Sequence, residues 1–419
     1  MDYNARMDYT ELSGKSVLLL GKTRSLSEEE FTRLLRLHGV EWTRTLASEA
    51  AMAFEGRMMN PYEQAESARI YAEGKIALHA LEPLEEWLCR SIEPNRLLMS
   101  LKLSRDQERL VDFLANPYIT DELFFKLLGL YDWQNEGFFD NDRNRDVTAA
   151  IIGRFYADPE KNHNVQYAMS GLAHLIERYG TDELIGAVAA LSPIAKELNS
   201  PSERSVAGIL DAMGLHPQTP LEVLRKLLPS RAALLARREP LVLEAELMAG
   251  GEVDELLSQN PTLSAEGRTV LMERFPALIA RNAVLSGELF ERLREGFAAA
   301  LAANPSLDDA MQDALAAEGE NTVLQSLAAN PSLAPRHASA LMEAGTYGEY
   351  LAANPSLPEG LLEKLYSSDD PKVHARLAAN PATPIELLYQ LSLDRRFERA
   401  VKTNPAFGRH IQTHNIGWH

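Results

Sequence analysis

The sequence predicts a small α/β domain, a parallel sheet flanked by helices, followed by an all-α repeat domain. Three observations carry this. Residues 16–91 alternate short apolar runs with helical patterns in the order β-α-β-β-α-β-α, which buries a parallel sheet beneath helices. From about residue 216, Asn-Pro dipeptides recur at a nearly fixed spacing, each leading into a leucine-rich helical pattern. The balance of 45% hydrophobic and 24% charged residues over 419 positions is that of a folded chain long enough for several domains.

In chain order, residues 1–11 read as an amino-terminal tail and residues 12–92 as the α/β domain. SVLLLGK (16–22) is a buried strand. SEEEFTRLLRLHG (27–39) is a helix with Ser27 at its cap and Glu30 completing a capping box. VEWTRTL and AAMAFEG are two further strands, followed by a helix over 62–73, a strand KIALHAL (75–81) and a helix from Pro83 to about Ser91.

Residues 93–215 are helical with a blurred repeat, a linker or cap for the repeat domain. ANPYITDELFFKLLGL (115–130) reads as one isolated repeat unit, and helices are expected near 147–156, 164–179, 181–190 and 203–214.

The repeat domain spans 216–410, with 411–419 as a carboxyl-terminal tail. Asn-Pro stands at Asn260, Asn304, Asn330, Asn354, Asn380 and Asn404, the last five spaced by 26, 24, 26 and 24 residues. Asn282 marks a degenerate copy, and HPQTPLEVLRKLL (216–228) parallels NPATPIELLYQL (380–391). A period in the twenties implies a solenoid, in which each unit buries its apolar face against its neighbours. Within a unit, Thr383, Pro384 and Glu386 read as a helix N-cap, first residue and capping-box partner, and two short helices per unit are expected. Asparagine before proline is a good turn former, so these residues are read as structural.

On these residues the repeats resemble the variant leucine-rich repeat, because Leu-Ala-Ala-Asn-Pro recurs at 301–305, 327–331, 351–355 and 377–381. The resemblance implies an α-helix and a short 3₁₀ segment alternating in a right-handed superhelix. The iron–sulfur module that some members carry has no counterpart in a chain with one cysteine.

The α/β domain resembles a BRCT domain, with Gly21 closing the first strand, Gly39 ending the first helix, Ala53 and Phe54 in the third strand, and Trp87-Leu88-Cys89-Arg90-Ser91 in the last helix. The resemblance implies a protein-interaction or DNA-end-interaction module, commonly in genome maintenance. Phosphopeptide-binding members use a Ser or Thr before that glycine and a Lys at the start of the second helix. Here Leu20 stands at the first position, and Glu63, Gln64 and Glu66 surround the second.

Sixty acidic against 42 basic residues give a net charge of −18, with the acidic excess in every segment. Nucleic-acid affinity rests on cations that neutralise phosphates, so direct nucleic-acid binding is not expected and protein partners are. The basic cluster RRFER (395–399) with Lys402 is the exception that a DNA-binding or DNA-repair reading needs. Cys89 alone rules out an internal disulfide framework and any all-cysteine metal site. The start of the chain lacks an apolar signal core and no stretch is long enough to span a bilayer, so a cytoplasmic location without membrane partner is expected.

Candidate binding residues are Lys22, Thr23 and Arg24, donors in the loop after the first strand, and Phe138 and Phe139, an exposed contact patch beside an acidic loop. Gly21-Lys22-Thr23 lacks the earlier glycine of a P-loop, since Ser16 stands there. Asp140, Asp142, Asn144 and Asp146 alternate as calcium ligands do, but Arg145 and Ile151 occupy the positions that need Gly and Glu. His163 with His174, and His410 with His414 and His419, read as surface histidines. Ser170 lacks the strand-turn-helix of a nucleophile elbow. No catalytic constellation, metal or cofactor is expected.

Overall fold

The structure is a computed structural model that describes residues 8–45, 50–156, 168–199 and 206–414. It divides into two compact units, residues 1–230 and 231–419. The chain is an α/β head followed by helices, as expected, but the head does not stand apart from the segment after it. Residues 12–92 and 93–215 fall in one unit, with the division at 230/231.

The first unit opens with a 3₁₀ turn, Tyr9–Leu12, capped by the Asp8 carboxylate. Tyr9 packs on Phe54 and Trp87, at 6.5 and 5.7 Å between ring centres, so residues assigned to a tail belong to the head. Then come β1 (Ser16–Leu20), α1 (Glu28–Leu37), β2 (Glu41–Thr43), β3 (Ala50–Glu55), α2 (Pro61–Glu73), β4 (Ala77–Ala80) and α3 (Glu82–Arg90). The four strands are parallel in the order β2-β1-β3-β4. Leu18, Leu20, Ala50 and Ala53 meet Ile70 of α2 in one core cluster. Leu-rich strands buried on both faces are what a parallel sheet under helices requires.

Among the described residues this unit continues through α4 (Pro94–Ser104), α5 (Gln107–Leu114), α6 (Asp121–Leu128), α7 (Asp142–Phe155), α8 (Met169–Tyr179), α9 (Asp182–Ala190), α10 (Ser192–Asn199) and α11 (Ala207–Leu215). The first part of the helices expected at 164–179 and 203–214 lies outside the described residues. Asn116, before α6, is 1% exposed and donates to Ser25 O at 2.8 Å and Cys89 Sγ at 3.2 Å. Its Oδ1 accepts from Tyr118 N. Arg109 reaches from α5 to Glu30 of α1 at 2.5 Å. These long-range polar contacts make the head and the helices after it one body.

In the second unit, helices alternate on either side of each Asn-Pro turn, as in Asn321–Ala328 and Pro335–Glu343, or Pro371–Ala379 and Ile385–Ser392. From Asp309 to Thr413 both helices of each unit are α-helical, where the resemblance implies one 3₁₀ segment. The asparagines explain the period. Asn330 Nδ2 donates to Ala302 O and Asn304 O, Asn354 to Ala328 O and Asn330 O, Asn380 to Ala352 O and Asn354 O, and Asn404 to Ala378 O and Asn380 O. Each Oδ1 accepts the backbone N–H two residues on. Both amide hydrogens and the carbonyl are thus satisfied inside the core, the condition for burying a carboxamide.

The degenerate copy departs from this pattern, and one local expectation is corrected. Asn282 does not join this chain of bonds: its amide returns to Leu278 O in its own helix, and Asn304 reaches Ala280 O and Ala283 O. Thr383 is no N-cap. Its hydroxyl donates to Leu377 O, six residues back, and the helix begins at Ile385 after Pro384. Thr219 donates to Met213 O in the same way, and His216 Nδ1 accepts from Gln218 N as the asparagines do. The match between 216–228 and 380–391 is therefore one of geometry.

Candidate functional site

Gly21 ends β1 at φ +81°, and a Cβ there would lie 2.6 Å from Arg57 O, so only glycine lets the loops after β1 and β3 meet. Lys22 N donates to Arg57 O and Arg57 N to Lys22 O, an antiparallel bridge at the carboxyl ends of parallel strands. Such edges are where α/β sheets commonly hold anionic ligands.

Here the chain supplies its own anion. Glu85 of α3 is 1% exposed, and its carboxylate accepts from Arg24 N, Ser25 N and Leu26 N at 2.9–3.2 Å. A row of backbone donors of this kind is a phosphate cradle when empty. With Glu85 in place these three N–H groups are spent, an obstacle to phosphate beyond the missing hydroxyl at Leu20. Arg24 is spent as well, on Glu82 at 2.6 Å. Tyr118 donates to that carboxylate at 2.6 Å, and this bond, with Arg24 beside it, holds Glu82 below the usual carboxylate range. Burial and the Glu82 contact push the Tyr118 hydroxyl up to about 12. Of the three predicted loop residues, Lys22 has its side chain exposed to solvent and Thr23 is half-buried.

Ser27 caps α1 through Glu30 N, but the expected box is not closed. Glu30 is 5% exposed and faces Arg33 and Arg109.

Phe138 is not part of an exposed patch. It is 1% exposed and packs edge-on against Trp133 at 5.1 Å, because α7 closes over it. Phe139 is half-buried and lines a cleft of about 180 Å³ with Met169 and Pro193. Asn144, with Asp142 and Asp146, lies in the first turns of α7 and not in an acidic loop; it is buried and accepts from Tyr131 Oη while donating to Gly137 O, so it is tied to the core. The His410 and His414 rings meet at a tilt, 4.3 Å between centres, and His174 pairs with Glu177. His163 and His419 lie outside the described residues. Among the described residues no three metal-ligating side chains converge. In the basic cluster at 395–402, Asp394 pairs with Arg396 and Glu398 with Lys402, which halves its charge.

The surface that sequence reasoning missed lies between α1 and α4, a groove of about 360 Å³. Leu34, Leu97 and Phe113 form an apolar floor, each no more than 6% exposed. His38, bonded to Ser91 Oγ at 2.8 Å and tilted against Trp87 at 4.3 Å between ring centres, closes one end; burial lowers its pKa. Arg109, held by Glu30 and Ser100, closes the other. Leu37 lines the groove and is 57% exposed, and on α4 Met99 and Leu103, outside its lining, are 58% and 78% exposed. The one available signal was that α4 shows leucines at 97, 98, 101 and 103, more than one helix face can bury. No helix among the described residues is long and apolar enough to cross a membrane.

Comparison with protein families, with curated proteins and with solved structures found no match.

Proposed function

We propose that the chain is a non-enzymatic protein-docking scaffold, a BRCT-like head fused to helical repeats of the variant leucine-rich, solenoid-forming type, of the kind the BRCT resemblance associates with genome maintenance. The observation that supports this reading is the α1/α4 groove, an apolar floor with the exposed Leu37 at its edge in an otherwise strongly acidic chain. The carboxamides of Asn354 and Asn380 and the Glu85 carboxylate are spent on the chain's own backbone, so their role is architectural.

Affinity purification of the full chain with quantitative mass spectrometry tests it. A partner recovered with wild type should be depleted about tenfold or more by Leu37→Glu with Leu103→Glu, two exposed positions whose variants should melt as wild type does. Partners recovered equally by both would remove the groove as the docking surface. Labelled duplex DNA is the counter-arm: dissociation constants near or below about 1 μM at physiological salt would move the reading to a DNA-binding factor.

A further inference from the structure

We propose that the groove between α1 and α4 receives an acidic amphipathic helix of a partner protein, its apolar stripe seated on Leu34, Leu97 and Phe113 and its carboxylates against Arg33 and Arg96. This rests on the docking-scaffold reading and names the chemistry of the occupant.

The charge around the groove is opposite to that of the chain. Arg33, Arg96 and Arg109 line it, and Arg36 stands one residue before Leu37. The carboxylates present are already engaged. Glu30 is buried between Arg33 and Arg109, and Glu93 caps α4 through Asn95 N and Arg96 N. Arg96 is exposed and forms no ion pair among the described residues. Beside the apolar floor Arg96 has no carboxylate of its own, and Arg33 shares the one buried Glu30 with Arg109, a field that recruits an acidic ligand and repels a basic one.

The shape selects a helix. Residues of both α1 and α4 line the floor, and an amphipathic helix laid between them would seat its apolar ridge there, the helix-in-groove mode with anchors at i, i+3 or i+4, and i+7. On α4, Arg96, Met99, Ser100 and Leu103 share one face by helical spacing, so the cation and the exposed apolar side chains would meet the same partner helix. A second copy of this chain carries the same −18 charge, which opposes self-association at long range.

A phage-displayed library of helical peptides, selected on the full-length protein and counter-selected on Leu37→Glu with Arg96→Glu, reads the preference directly. Enriched sequences should be net acidic with apolar residues at helical spacing. A synthetic representative should bind about tenfold more weakly to the double variant, more weakly to Arg96→Gln, and more weakly as salt rises. Enriched peptides that are basic or lack the spacing, no enrichment that survives counter-selection, or a wild-type dimer in sedimentation velocity that the double variant dissolves, would each overturn the proposal. If purified partners depend on Leu37 and Leu103 while the library returns no acidic helices, the scaffold reading stands and the acidic helix falls.

Discussion

At Asn354, the amide donates to Ala328 O and Asn330 O while Oδ1 accepts from Ser356 N, and the residue is 1% exposed. Removing it takes a partner from three backbone groups, of which Asn330 O still accepts from Leu333 N. Each such group costs about 1–3 kcal/mol when left without water, so Asn354→Ala should lose about 2–4 kcal/mol once partial rehydration is allowed. Asn282→Ala, where the amide only returns to its own helix, should lose under about 1 kcal/mol; urea denaturation of both variants gives the contrast, and equal losses would deny the asparagines their role. Cys89 offers a pH test. Burial pushes its thiol up to about 11, with Glu85 and Glu86 adding to the shift and the Asn116 amide opposing it. Folded, the thiol keeps its proton while the unfolded thiol releases it near 9, so the unfolded state binds fewer protons and this contribution to stability falls as pH climbs between those values. The native chain should therefore resist thiol reagents in mildly alkaline buffer, and any stability advantage over Cys89→Ala should shrink as pH approaches 11.

Elements were legible where local chemistry decides them. All seven elements of the head appear in the expected order, because β1 and β3 are apolar runs too short for helices and α1 and α2 carry Ser27 and Asn60 as caps. The features that stayed hidden depend on distant partners. Glu85 reads as a surface charge of an amphipathic helix, and nothing near it in sequence shows that the loop at 24–26, about 60 residues earlier, turns three N–H groups toward it. Phe138 looks exposed because its neighbours are polar, yet α7 folds back over it through Thr148 Oγ1, which donates to Phe138 O. Thr383 precedes a proline in a cap-like string, but its hydroxyl finds Leu377 O before it finds an open N–H. The long helices at 221–235 and 287–302 contain non-helical residues at Arg231 and Phe297, breaks that no periodicity revealed. The groove shares this character, since α1 and α4 are 56 residues apart from Leu37 to Glu93 and meet only in the folded chain.

Two compact units, each with its own buried clusters, set how a local injury spreads through the molecule. Leu351 and Leu377 are both 0% exposed and share one cluster that runs from Ala328 to Phe407. Leu377→Ala should cost about 2–5 kcal/mol through lost burial and the cavity left behind. Hydrogen exchange should then rise across neighbouring helices of residues 231–414 while the sheet and α1–α7 keep their protection, because these helices stabilise one another through successive contacts. Asn116→Ala should act differently. Its amide joins Ser25 O and Cys89 Sγ, and Arg109 and Tyr118 join the same surface through Glu30 and Glu82, so cutting it should loosen the head and α5–α7 together. Deprotection of α5–α7 with the sheet unaffected would restore an independent head. A rise in exchange through both units in Leu377→Ala would instead mean one cooperative body, and docking at the groove could no longer be treated as separate from the state of the repeats.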